Sequence, residues 1–184
     1  MSHYTANLRD IEFCLFDLLK RDEILGKSIF KEIDRDTSMG MLEEIKRLAE
    51  NDLADSFVES DRLGAQFDKA TGDIKLPESF KKSYRTFMDN EWWRIDAPVE
   101  IGGTLIPASV RWAIAEMVLG SNPSIHIYAS GTAFAHVAYV LGNDEQKKMA
   151  KHMVDKDWGA TMQLTEPDAG SDVGAGRTKA VQQA

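Results

Sequence analysis

The chain has 184 residues, a net charge of −8, 43% hydrophobic residues and 28% charged ones. That length supports a real core, and that composition is ordinary for a globular protein. The acidic balance disfavours nucleic acid as a partner, the single Cys14 excludes an intrachain disulfide, and the N-terminus has neither the basic nor the apolar region of a secretory signal.

The spacing of Leu8, Ile11, Leu15, Leu18 and Leu19 predicts a helix from about Thr5 to Lys20, all five on one face. Cys14 sits between Phe13 and Leu15–Phe16, so it is read as a packed thiol. Gly26 breaks the pattern weakly. A second helix is predicted from Asp36 or Thr37, with Met41, Leu42, Ile45, Leu48, Ala49, Leu53 and Phe57 as its apolar stripe.

Residues 61–76 read as irregular, with a turn at Ala70–Asp73 between short extended pieces. Pro77 suits the first position of a third helix carrying Phe80, Tyr84, Phe87 and Met88. Trp92 and Trp93 open a second irregular stretch containing Pro98–Gly103, a tight turn by composition. These two and Trp112 are read as packing aromatics.

A helix from Pro107 to Leu119 follows, and then an apolar helix running from Ile125 to Leu141. This stretch falls short of the ~20 apolar residues of a membrane span. Gly142 is predicted at C′, and Asn143 with Gln146 as a capping box for a helix ending near Lys156. A strand is predicted only at Trp158–Leu164, with a second at Thr178–Val181. So few strands cannot form a stable sheet alone, so the expectation is either a fragment or a tail that is disordered or pairs with another chain. His3, His126, His136 and His152 show no metal-ligand spacing, and no metal is predicted.

The segment after the strand, Gln163-Leu164-Thr165-Glu166-Pro167-Asp168-Ala169-Gly170-Ser171-Asp172, carries the chemistry. Gly, Ser and Thr in a turn suit backbone N–H groups and hydroxyls converging on an anion. The segment closely resembles the Leu-Thr-Glu-Pro-x-Ala-Gly-Ser-Asp motif of the acyl-CoA dehydrogenases. Three more stretches match that family in order: Glu100-Ile101-Gly102-Gly103, Leu141-Gly142-Asn143-Asp144-Glu145-Gln146-Lys147-Lys148, and Trp158-Gly159-Ala160-Thr161. Residues 1–34 look like the extra N-terminal helix of the longer bacterial members.

The resemblance implies a mainly α fold: an N-terminal helical extension (1–34), the family's N-terminal α-helical domain (35–157), and the truncated start of its middle β-domain (158–184). It implies an FAD site formed in part by Met162, Gln163, Leu164, Thr165, Gly170 and Ser171, with Ser171 also beside the acyl-CoA. Gln163 departs from the small residue usual in the family, and Met162 from the usual aromatic.

Thr165 would lie at the polar edge of the isoalloxazine; its blander alternative is a strand-ending Thr bonded to its own turn. Ser171 would contact the pyrophosphate; its alternative is a plain Ser–Asp turn. Gly170 is expected to provide a conformation or approach that a Cβ would obstruct. Glu166, Asp168 and Asp172 are read as fixing the turn, because free carboxylates would repel a pyrophosphate.

The implied reaction is α,β-dehydrogenation of a fatty acyl-CoA to a trans-2-enoyl-CoA in β-oxidation. A glutamate takes the α-proton and a hydride passes from Cβ to the flavin, with electrons going on to electron-transfer flavoprotein. The family's base lies in a C-terminal helical domain, so no catalytic residue is assigned in this chain, and the chain alone is expected to be inactive. The complete enzyme is expected to be a cytoplasmic homo-oligomer, dimer or tetramer, without a membrane span. The alternatives are a non-catalytic helical interaction module and another superfamily member, such as an acyl-CoA oxidase or a nitroalkane oxidase.

Overall fold

Asn7 starts the first helix by accepting the Asp10 N–H through its side chain, at 3.4 Å in the computed structural model, which describes residues 2–183. Met1 and Ala184, the outer bounds of the first and last predicted segments, lie outside the described residues. Helix α1 (Leu8–Glu12) runs directly into a π-helical turn, Phe13–Leu18. The wider winding adds a residue per turn and rotates the face behind it. Ile11, Leu15 and Phe16 therefore enter the core, while Leu18 and Leu19, predicted on the same face, are exposed. Lys20 takes the left-handed conformation, φ 51°, so the helix stops before it. Cys14 is exposed, not packed.

Helix α2 (Arg35–Leu48) is capped by Asp34 and not by Asp36 or Thr37, the caps predicted; Asp34 accepts the Thr37 N–H at 2.8 Å. Its buried stripe of Leu42, Ile45 and Leu48 continues through a π turn, Ala49–Leu53, and a 3₁₀ turn, Ala54–Ser56, into α3 (Phe57–Leu63). A short antiparallel hairpin follows, β1 (Gln66–Phe67) against β2 (Ile74–Lys75), with Gln66 opposite Lys75 and Phe67 opposite Ile74. Pro77 precedes α4 (Glu78–Asp89), its ψ of 139° being extended and not helical. Phe80 and Phe87 point into the core.

Two 3₁₀ turns, Trp92–Asp96 and Val99–Ile101, lead to Gly102 and Gly103. Gly102 has φ +95°, and a Cβ at Gly103 would collide with the Ala97 carbonyl. Both positions thus require glycine. Trp92 and Trp93 are buried as predicted, but Trp112 is 55% exposed and is not a core residue.

Helix α5 (Ala108–Ser121) is the central element. It buries Val110, Ala113, Ile114, Ala115, Met117 and Val118, and so shows little amphipathicity. Its polar end is satisfied inside the core. The Ser121 hydroxyl donates to the Ala49 carbonyl at 2.6 Å, and the Asn122 amide donates to the Leu53 carbonyl at 3.2 Å and to the Ser56 hydroxyl at 3.0 Å.

The single helix predicted for 125–141 is in fact two, α6 (Pro123–Tyr128) and α7 (Gly131–Leu141). Pro123 opens the first, and the Ser130 hydroxyl takes the Ile127 carbonyl at 2.6 Å, competing with helix continuation. Gly142 is extended (φ −81°, ψ 164°) and not the left-handed cap expected. The capping box of α8 (Asp144–Asp155) is present as predicted: Gln146 N–H to Asn143 Oδ1 at 3.0 Å and Asn143 N–H to Gln146 Oε1 at 2.8 Å.

Neither Trp158–Leu164 nor Thr178–Val181 forms a strand. Both have β-type sequence, but among the described residues no strand lies alongside to take their ladder bonds. The mainly α architecture is as predicted. The helices enclose two cores. The larger joins the N-terminal segment (Ala6, Ile11, Leu15, Phe16, Leu25, Ile33) to α2, α4 and α5, and the smaller sets Trp93, Ala97 and Ile101 against Ala135, Ala150 and Val154 of α7 and α8. No helix among the described residues is long and apolar enough to cross a membrane.

Candidate functional site

Residues 158–178 cross the end of the helical body as an extended segment closed by a loop. Three contacts fix where the segment starts. The Trp158 N–H donates to the Met153 carbonyl at 2.9 Å, and the Trp158 ring stands edge-on to His152 with centroids 4.8 Å apart. Gly131, at the start of α7, lies directly under the Trp158 carbonyl, where a Cβ would collide. Beyond it, Gly159, Ala160 and Thr161 form one wall of a cavity of about 510 Å³; Ile127 and Tyr128 of α6 form the other. Tyr128 meets Phe80 edge-to-face at 5.3 Å, which ties this wall to the core. Sequence reasoning missed Ile127 and Tyr128, because they fall within what reads as one continuous apolar helix.

The six predicted site residues are all exposed, Met162 at 70% and Leu164 at 53%. Met162, Gln163 and Leu164 belong to neither a helix nor a strand and lead into Thr165. The chain then reverses at Glu166-Pro167-Asp168-Ala169, where the Glu166 N–H donates to the Ala169 carbonyl and the Ala169 N–H to the Glu166 carbonyl, both at 3.1 Å. Pro at the first inner position suits such a turn. Ala169 is 3% exposed and anchors it.

The reversal brings Gly170 beside Thr165: a Cβ on Gly170 would meet the Thr165 methyl at 3.9 Å, ordinary contact. Gly170 does not have a positive φ. The chain itself neither strains nor obstructs a Cβ at Gly170, and the turn is made by Pro167 and Asp168. Ser171 follows on the exposed side of the loop. Among the described residues, the N–H groups of Gly170, Ser171 and Asp172 donate to no backbone acceptor.

Glu166 has the turn-fixing place expected of it. Its two carboxylate oxygens accept the Arg177 N–H at 2.7 Å and the Thr178 N–H at 2.9 Å. These bonds, first the Arg177 N–H and then Thr178, hold its carboxyl below the usual glutamate range. Between the two ends, Val173–Ala175 forms a short 3₁₀ turn started by Asp172. Among the described residues, no group of three metal-ligating side chains comes together.

This geometry is a helical body whose C-terminal segment offers an exposed, carboxylate-closed loop of N–H and hydroxyl donors. No family model matches the chain. Curated relatives do. The chain is 50% identical over its full length to the broad-specificity linear acyl-CoA dehydrogenase FadE5 of Mycobacterium tuberculosis. It is 32% identical, over 98% of its length, to the 3-methylmercaptopropionyl-CoA dehydrogenase of Ruegeria pomeroyi, and 29% identical, over 97%, to a butyryl-CoA dehydrogenase of Syntrophomonas wolfei. It spans 30%, 31% and 30% of the length of these three proteins. The chain belongs to the acyl-CoA dehydrogenase family, as a portion of such a protein.

Proposed function

We propose that this chain supplies part of the flavin and acyl-CoA site of an FAD-dependent acyl-CoA dehydrogenase acting on fatty acyl-CoA thioesters. The observation that carries the reading is the exposed loop Gly170–Asp172, whose N–H groups have no backbone acceptor among the described residues. Unpaired N–H groups beside a small hydroxyl are what a phosphate oxygen needs. Of the carboxylates on this segment, Glu166, Asp168 and Asp172, Glu166 is engaged by two N–H groups of the chain. The residues therefore fit an anionic dinucleotide.

FAD, when bound, supplies the hydride acceptor for Cα–Cβ desaturation. The chain's own residues bind and orient. Ser171 would donate to a phosphate oxygen, Thr165 would offer its hydroxyl to the polar edge of the flavin, and Met162, Gln163 and Leu164 would help to hold the ring. The cavity between Ile127–Tyr128 and Gly159–Thr161 adjoins this segment and is lined by apolar side chains from α6. The base comes from further sequence of the complete protein, and Glu166 is not assigned as the base, since the N–H bonds that close the loop hold its carboxyl below the usual range and weaken it as a proton acceptor. The domain limits 1–34, 35–157 and 158–184 belong to this reading, as do β-oxidation, electron-transfer flavoprotein as acceptor, a homo-oligomeric assembly and a cytoplasmic location.

Dye reduction with short and long acyl-CoA substrates tests it. The complete FAD-loaded protein is expected to turn over, and the 184-residue chain with added FAD is not. No turnover by the complete protein with any acyl-CoA would overturn the proposal.

A further inference from the structure

The loop that carries Ser171 has few contacts of its own to hold it. Gly170, Ser171, Asp172, Gly174 and Gly176 are exposed, and only Ala169 is buried. One side chain joins the two ends of the loop. Glu166 stands at its entrance, within the Pro167–Asp168 reversal, and its carboxylate oxygens take one N–H each from Arg177 and Thr178 at its exit. Gly176 passes so close that a Cβ there would lie 3.3 Å from Glu166 Oε1. We infer that Glu166 is a positioning residue: it pins residues 167–176 into one closed loop, and so sets the direction of the Gly170 and Ser171 donors before the cofactor arrives.

This rests on the proposal that the loop binds FAD, and it adds a residue that touches no cofactor. The chemistry follows from the bonds. Backbone N–H groups bonded to an ionised carboxylate are stronger than neutral pairs, and two of them to separate oxygens fix both distance and orientation. The lowered carboxyl of Glu166 agrees, since those bonds favour the ionised form. Without them, the flexible Gly-rich loop would be ordered only on binding, and the cost of that ordering would appear as weaker affinity.

The test uses the complete protein carrying this sequence and three variants: Glu166→Ala, Glu166→Gln and Ser171→Ala. FAD affinity is read by flavin fluorescence, and loop closure by amide exchange at Arg177 and Thr178 and by trypsin cleavage after Arg177. Glu166→Ala is expected to speed exchange at both amides, expose the Arg177 cut and weaken FAD binding roughly tenfold. Glu166→Gln keeps one acceptor oxygen and is expected to restore part of both the protection and the affinity. Ser171→Ala is expected to weaken FAD binding while the two amides stay protected. Unchanged exchange in Glu166→Ala, or FAD affinity that survives once the loop has opened, overturns the positioning role. Unchanged FAD affinity in Ser171→Ala counts instead against the flavin reading, and leaves the loop closure measured by exchange as its own result.

Discussion

Gly131 carries more structural weight than its place in an apolar run shows. Its missing side chain lets the Trp158 carbonyl lie against the start of α7, and so sets where the site segment leaves the helical body. Gly131→Ala is expected to destabilise the protein by about 1–3 kcal/mol and to increase amide exchange at 158–161, the penalty of forcing atoms into a packed contact. Gly170→Ala should fold with a change within about 0.5 kcal/mol, since its Cβ has room. Denaturant titration of the two variants side by side checks the contrast.

This pair also shows what a sequence reading can and cannot see at this scale. The donors of Thr165 and Ser171 were legible, because side-chain chemistry is written in the residue type. The need for a glycine was assigned to Gly170 and missed at Gly131, because it depends on which backbone passes overhead.

His126 adds a pH dependence. Burial is the largest cause holding its ring below the ordinary histidine value of 6.5, outweighing the nearby Asp96 charge, which raises it; Arg111 lowers it further. The folded protein therefore binds fewer protons here than the unfolded chain as pH falls below about 6.5. The stability contribution is present above that value and is lost as pH falls toward the lowered one. The urea midpoint is expected to drop between pH 7.5 and 5.5, and less steeply in His126→Gln. Equal slopes in the two proteins would contradict this.

At the scale of elements, the boundaries that sequence located well are those written locally. The Asn143–Gln146 capping box is reciprocal and complete, so Asn143→Ala is expected to cost about 1 kcal/mol. The hairpin turn at Ala70–Asp73 joins the two short strands where composition put it. The misses come from local backbone geometry that residue periodicity does not show. The π turn at Phe13–Leu18 changes the period on which the Leu18 and Leu19 assignment relied. The break at Ala129–Ser130 is made by hydrogen bonds inside a run that is apolar throughout.

Asn122 lies between the predicted helices that end at Leu119 and begin at Ile125. It turns out to bridge α5 to the Leu53–Ser56 turns from full burial. Asn122→Leu leaves the Leu53 carbonyl without that donor and is expected to cost about 1–3 kcal/mol by chemical denaturation.

For the whole molecule, the helical body and the C-terminal segment differ in kind. The body has continuous cores running from Ala6 to Val154. The segment from Trp158 onward has a fixed start, a fixed turn and a carboxylate closure, but no sheet partner among the described residues. The similarity to the Mycobacterium tuberculosis protein covers this segment together with the body. The predicted strand at 158–164 was a sound reading of residue types, but a strand is a property of a pair.

The central claim is that the exposed loop around Ser171 binds FAD through phosphate. Its most direct test is the FAD dissociation constant of the complete protein with Ser171 and with Ser171→Ala, measured under identical salt and pH. A charge-assisted hydrogen bond of about 1.5–3 kcal/mol corresponds to a roughly ten- to hundredfold weakening. The account predicts a loss in that range with the fold intact. Equal dissociation constants for the two proteins would contradict it.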